Sequence, residues 1–173
     1  DRSTGREPIP SEWLTTYVGG KGLGARYLYR ELDAGVDPLG PENALLFVVG
    51  PITGLTPGEP RYAAITKSPL TGAFLDSYSG GDFAARLARS LGDAMGLIVR
   101  GSAETPVTIV VGDGSVRIES ASDDWGRPVD EIADRYSDES VATIGPAGER
   151  QVLYATIGTD GGDHQAGRAV LER

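Results

Sequence analysis

The segment Arg61-Tyr62-Ala63-Ala64-Ile65-Thr66-Lys67-Ser68-Pro69-Leu70-Thr71-Gly72 sets a guanidinium at one end of an extended stretch and an ammonium near the following turn. Two cations held apart by a strand can grip an anion. They can equally pair with surface carboxylates, where each pair contributes little. Further along, Tyr78-Ser79-Gly80-Gly81-Asp82-Phe83 reads as a turn entering a helix. Its free amides and the Ser79 hydroxyl suit a phosphate or the polar edge of a ring, or they simply cap the helix. Asp160-Gly161-Gly162-Asp163-His164-Gln165-Ala166-Gly167-Arg168 reads as a polar loop. It could close over a ligand or offer backbone carbonyls to a hard metal. His164 is the chain's only histidine, and in such a loop it reads as a hydrogen-bonding residue rather than a proton-transfer catalyst.

The run Gly19-Gly20-Lys21-Gly22-Leu23-Gly24 is not a dinucleotide fingerprint, because no strand precedes it and no acidic residue follows a second strand at the required distance. Its glycines point first to close packing of a helix start against neighbouring backbone.

The residues available limit the chemistry further. With no cysteine, these 173 residues supply no thiolate nucleophile, disulfide or iron-sulfur ligand. One histidine excludes a zinc site built from several imidazoles, though not an oxygen-ligated Mg²⁺. A net charge of -9, from 25 acidic and 16 basic residues, has the wrong sign for uniform nucleic-acid binding. The only lysines are Lys21 and Lys67; this balance suits adaptation to high salt or a biased genome composition, and the sequence does not choose between them. Apolar runs such as Ala44 to Val49 are far too short for a membrane span, and no leader opens the chain, so a cytoplasmic protein is expected.

The elements that must position these residues follow from periodicity. Helices are expected over Ser11 to Tyr17, with Ser11 as its cap, over Ala25 to Leu32 after a glycine loop, over Phe83 to Leu91, and over about Pro128 to Tyr136. In the last, Val129, Ile132 and Ala133 should face inward. Strands are expected at Ala44 to Val49, Tyr62 to Thr66, Gly96 to Val99, Pro106 to Val111, Ser115 to Ile118, Val141 to Ile144 and Val152 to Ile157, with a hairpin turn at Gly112-Asp113-Gly114. A glycine pair, helix and strand occur twice: Gly19-Gly20, Ala25-Arg26 and Leu46 to Val49, then Gly80-Gly81, Ala85-Arg86 and Gly96 to Val99. The fold class expected is α+β, with two packed β-sheets, a few helices and an internal duplication of pseudo-two-fold symmetry.

Several motifs fall in the order seen in aldehyde ferredoxin oxidoreductases. They are Val18 to Gly24, Val36-Asp37-Pro38-Leu39, Val49-Gly50-Pro51-Ile52-Thr53-Gly54, Thr66-Lys67-Ser68-Pro69-Leu70-Thr71-Gly72, Ser79-Gly80-Gly81, Trp125-Gly126 and Ile144-Gly145-Pro146-Ala147-Gly148-Glu149. The chain resembles the amino-terminal domain of that family over nearly its whole length. The resemblance implies one pterin-cofactor-binding domain over residues 1–173, clipped at both ends. It implies a base on which a tungsten bis-pterin, or its molybdenum analogue, rests with a bridging Mg²⁺. Arg61, Ser79, Gly80, Gly81, Ala166, Gly167 and Arg168 would contact the cofactor, with Ala166 at the metal and no residue acting as a proton-transfer catalyst.

The activity implied is oxidation of aldehydes to carboxylic acids. The 4Fe-4S cluster would sit in cysteine-containing helical domains or another subunit, and ferredoxin would be the electron partner; no nucleic acid or membrane partner is implied. This chain alone would be inactive. The alternative is a non-catalytic, free-standing homologue binding a pterin, a nucleotide or a partner protein. One departure bears on the site: Tyr78 stands where the family pattern has asparagine, and a phenol does not replace a compact carboxamide ligand for Mg²⁺.

Overall fold

Every residue of Ala44–Val49 is apolar, which a strand covered on both faces requires. In the computed structural model, which describes residues 3–58, 60–160 and, as backbone, 164–166, this stretch is β1, buried throughout. It pairs with β2 (Tyr62–Lys67), which carries β3 (Phe74–Ser79) beyond it, and on its other side with β4 (Gly96–Arg100). All pairings are antiparallel, in the order β3-β2-β1-β4.

Alternation along β1 sends side chains into two cores. Ala44, Leu46 and Val48, with Ala63 and Ile65 of β2, face α1 (Ser11–Tyr17) and α2 (Gly20–Glu31). Trp13 joins the two helices, with the Arg26 and Arg30 guanidinium carbons each 4.8 Å from its ring centre; such cation-π contacts contribute about 0.5–2 kcal/mol each. Leu45, Phe47 and Val49, with Tyr62 and Ala64, face α3 (Asp82–Leu91) through Ala84, Leu87 and Leu91.

The remaining chain covers this second core. The hairpin of β5 (Val107–Gly112) and β6 (Ser115–Ser120) turns at Asp113 and Gly114, both at positive φ, as a two-residue turn between twisted strands demands. After α4 (Val129–Arg135), with Ile132 buried, come β7 (Ala142–Thr143), α5 (Gly145–Glu149), β8 (Ile157–Thr159) and β9 (His164–Ala166), whose strands form a three-stranded sheet. The class is α+β, but the described residues form one four-stranded sheet and two small antiparallel ones, not two sheets. Both glycine-helix-strand units form. Their strands β1 and β4 are antiparallel neighbours while α2 and α3 lie on opposite faces, an arrangement that does not itself display a two-fold axis.

Several boundaries differ for physical reasons. Gly20 to Gly24, expected as loop, is the first turn of α2: a Cβ on Gly24 would lie 2.3 Å from Ile65 Cδ1 and one on Gly22 3.0 Å from the Tyr17 carbonyl oxygen, so the glycines let the helix close on its neighbours. Ser11 caps nothing; Pro10 occupies the N-cap and there is no side-chain cap. Val152 to Ala155, expected as strand, precedes β8 as turn, with Ala155 N–H donating to the Val152 carbonyl. Gly145 to Gly148 starts a helix instead of a plain connection.

Tyr62 is 1 % exposed, and its hydroxyl finds no hydrogen-bond partner of good geometry among the described residues. Burial pushes its pKa far up, with Ser79 opposing and Asp160 adding to the rise. Unfolded tyrosine ionises near pH 10. Stability tied to the protonated phenol is therefore complete below about pH 10 and is lost as pH climbs toward the folded value. Tyr62→Phe is expected to leave stability unchanged or raise it by up to about 1 kcal/mol at neutral pH, since it removes a buried group lacking a partner. It should also reduce the loss between pH 10 and 11. Tyr27 and Tyr78, each pushed up to about 12, burial first, keep part of that loss. Urea unfolding across pH 7–11 checks both expectations.

Candidate functional site

One end of the main sheet gathers the C-terminal ends of β1 and β3, the start of β2 and the start of α2. A cleft of about 430 Å³ opens there, lined among others by Gly20, Val48, Thr53, Arg61, Ala63 and Tyr78. Residues between Gly50 and Gly58, with Pro60, form its rim. The rim is folded on itself: Gly50 N–H donates to Thr53 Oγ1 at 2.9 Å and Thr53 N–H returns a bond to the Gly50 carbonyl at 3.2 Å. Gly54, at φ 76°, lies so close to α3 that a Cβ would sit 3.3 Å from Ala85 Cα. Ile52 and Leu55 project outward on this rim, 64% and 77% exposed.

Arg61 supplies the cleft's cationic side chain. Lys67 does not share it. The two residues bracket β2, and six residues of strand span about 20 Å; the Lys67 ammonium instead donates to the Val36 carbonyl. The paired-cation grip on one anion is therefore replaced by a single arginine.

Alternation on β3 divides the expected serine-glycine-glycine site. Tyr78 lies opposite Ala63, on the α2 side and in the cleft, whereas Ser79 lies opposite Tyr62, on the α3 side. Ser79 is 2 % exposed, with its oxygen 3.1 Å from Thr159 Oγ1, so its hydroxyl faces a packing contact, not the cleft. Gly80 is buried and Gly81, at φ 77°, is the N-cap of α3. Across from them, the Asp160 carboxylate accepts from Phe83 N–H at 3.0 Å, anchoring the start of α3 from β8. β9 lies beside β3, and the backbone of Ala166 pairs with Ile157. The Gly80-Gly81 turn and the β8-β9 hairpin thus meet at one region of the fold. Gly167 and Arg168 lie outside the described residues.

Residues 164–166, read from sequence as part of a loop, form a strand. Tyr78, read only as a departure, is an integral wall of the cleft. Period-two alternation from Ser79 could have revealed it, had Phe74–Ser79 been recognised as a strand.

These groups fit an anionic organic ligand: a guanidinium, apolar walls and backbone held open by glycine. They do not form a metal centre, since no cluster of three or more His, Cys, Asp or Glu able to hold a metal occurs among the described residues. Any metal here would depend on ligand atoms and backbone carbonyls.

The family model for the N-terminal domain of aldehyde ferredoxin oxidoreductase matches residues 1–171. The chain belongs to this family. It is 39% identical, over 97% of its length, to a tungsten-containing aldehyde ferredoxin oxidoreductase of Pyrococcus horikoshii. It is 41% identical, over 94% of its length, to the protein of that description from Thermococcus kodakarensis. It covers 28% and 27% of those two proteins, so it spans about a quarter of the length of the curated relatives it matches. Among solved structures, the active-site complex BamBC of benzoyl coenzyme A reductase with 1,5-dienoyl-CoA is similar at a TM-score of 0.88 and 31% identity, over 97% of this chain and 26% of that one. Lacking cysteine, this domain provides no thiolate for an iron-sulfur cluster. Among the described residues no helix is long and apolar enough to cross a membrane.

Proposed function

We propose that this domain is a non-catalytic cradle for a pterin-class cofactor. The observation that carries the reading is the placement of Arg61 and the end of β3 around one cleft, in a chain that belongs to a cofactor-bearing oxidoreductase family. Arg61 would meet anionic charge on the cofactor, amides of the Gly80-Gly81 turn would donate to it, and the backbone from Ala166 to Arg168 would approach a bridging Mg²⁺. The Ser79 hydroxyl has a different part: held by Thr159, it fixes the strand from which the turn departs. When bound, a tungsten or molybdenum pterin supplies the redox chemistry, and the domain supplies position and charge compensation.

A second reading extends the first to a whole enzyme. The 39% identity along nearly the full chain supports a larger assembly that oxidises aldehydes to carboxylic acids. In it, helical domains or a subunit bearing cysteines would carry a 4Fe-4S cluster and pass electrons to ferredoxin. In both readings this domain alone turns over no aldehyde.

The test is retention of isolated metal-pterin cofactor by the purified chain after gel filtration, followed by its absorbance and metal content. Arg61→Ala is expected to lower affinity at least tenfold, because a charge-assisted hydrogen bond contributes about 1.5–3 kcal/mol. No retention by the wild-type chain, or retention indifferent to Arg61, rejects the cradle.

A further inference from the structure

Two aromatic residues line the cleft beside Arg61: Tyr62, 1 % exposed and packed in the core on the α3 side, and Tyr78, whose ring is open to solvent. Tyr78 is 42% exposed, lies opposite Ala63 in the sheet and lines the cleft with Arg61, Val48, Ile52 and Pro57. Burial, and after it the neighbouring Asp76 carboxylate, push the phenol's pKa up to about 12. Asp76 is held in turn by Lys21 at 3.1 Å, from the first turn of α2. The same ammonium lies 5.9 Å from the ring centre of Phe74.

A bare phosphate would use the cation of this cleft and gain nothing from an aromatic wall. A flexible aliphatic carboxylate would gain only contact area. A planar ring bearing a negative charge uses both features at once, because every flat heterocycle offers a π face for stacking. We propose that Tyr78 is a specificity-determining residue that selects a planar heteroaromatic anion, its ring stacking on that of the ligand while Arg61 meets the charge. This inference rests on the reading of the cleft as a pterin site and adds the residue that distinguishes a ring from a simple anion.

Pterin-6-carboxylate, followed by its own fluorescence, and pyrophosphate, as its competitor, separate the two claims. For pterin-6-carboxylate, Tyr78→Ala is expected to weaken binding about tenfold and Tyr78→Phe by no more than about twofold, the stacking face being kept. The pyrophosphate competition constant should be the same in wild type and Tyr78→Ala, and far-UV circular dichroism should show each variant folded. If wild type binds pterin-6-carboxylate and Tyr78→Ala binds it equally well, the role of Tyr78 is overturned while the cleft reading stands. If Tyr78→Ala weakens both probes alike, selection for a ring is overturned as well. If wild type binds neither probe, the cleft reading itself falls.

Discussion

Phe47→Ala is expected to cost about 3–5 kcal/mol, a large part of the stability of a domain this size. Phe47 sits in the middle of β1, 7 % exposed, and is hydrogen-bonded into the sheet on both sides, opposite Ala64 and Leu97. Its ring centre is 5.7 Å from that of Tyr62 and 6.4 Å from that of Phe83, and the latter two are 5.1 Å apart. Truncation would therefore remove the ring's transfer free energy and two aromatic contacts while leaving a void that rigid strands on either side cannot collapse into. The cavity would adjoin the Gly81-to-α3 junction, through Phe83. In urea unfolding the midpoint should fall with little change in slope. The thermal midpoint should fall by about 10 °C, using 2–4 °C per kcal/mol at this length. A loss under 1 kcal/mol would mean that the second core is not packed as described.

Gly24→Leu should be nearly as damaging, at about 3 kcal/mol or more, for the opposite reason. Where Phe47→Ala empties a site, this change overfills one. Helix propensity alone would favour any such substitution by up to about 1 kcal/mol, but the added Cβ would lie 2.3 Å from Ile65 Cδ1. Ile65 is fully buried between α2 and the sheet. The pair supplies its own control. Gly24→Ala should be destabilising alone, and Ile65→Val, which deletes that Cδ1 atom, should relieve it, so that the double variant is more stable than the two single losses predict. A coupling of about 1–2 kcal/mol is expected, as for residues in direct contact. Additive behaviour in the double-mutant cycle would show that α2 does not rest on Ile65.

The fold was legible where local pattern and tertiary burial agree. Ala44–Val49 is one unbroken apolar run and became β1 with the expected ends; Ser11 to Tyr17 matches α1, and the Val129, Ile132, Ala133 stripe of α4 faces inward as its spacing requires. It was illegible where a neighbour overrides local preference. Gly20, Gly22 and Gly24 are poor helix formers, yet they begin α2: Gly20 takes a positive φ of 52°, and only residues without side chains fit at Gly22 against Tyr17 and at Gly24 against Ile65. Phe74–Ser79 went unrecognised because an edge strand needs fewer apolar residues; its α2-facing side carries Asp76 and Tyr78, and its other side carries Ser77 and Ser79. The site inherited that omission. Arg61 was found from its type and setting, but without β3 nothing in the sequence said that Tyr78 would join it or that Ser79 would turn away. Lys67 was matched to Arg61 by closeness in sequence, although extended backbone carries the two far apart.

The division of labour on β3 has a consequence for how such a domain can diversify. Asp76 and Tyr78 lie on the α2 face, Tyr78 in the cleft, while Ser77 and Ser79 are locked into the packed interior, so adjacent codons are under unrelated demands. Randomising the even positions explores what the domain recognises at little risk to its architecture, and randomising the odd ones mostly samples chains that no longer assemble. A laboratory evolution experiment on this strand should therefore recover its successful variants in a comb, every second residue free to change and each one between them held.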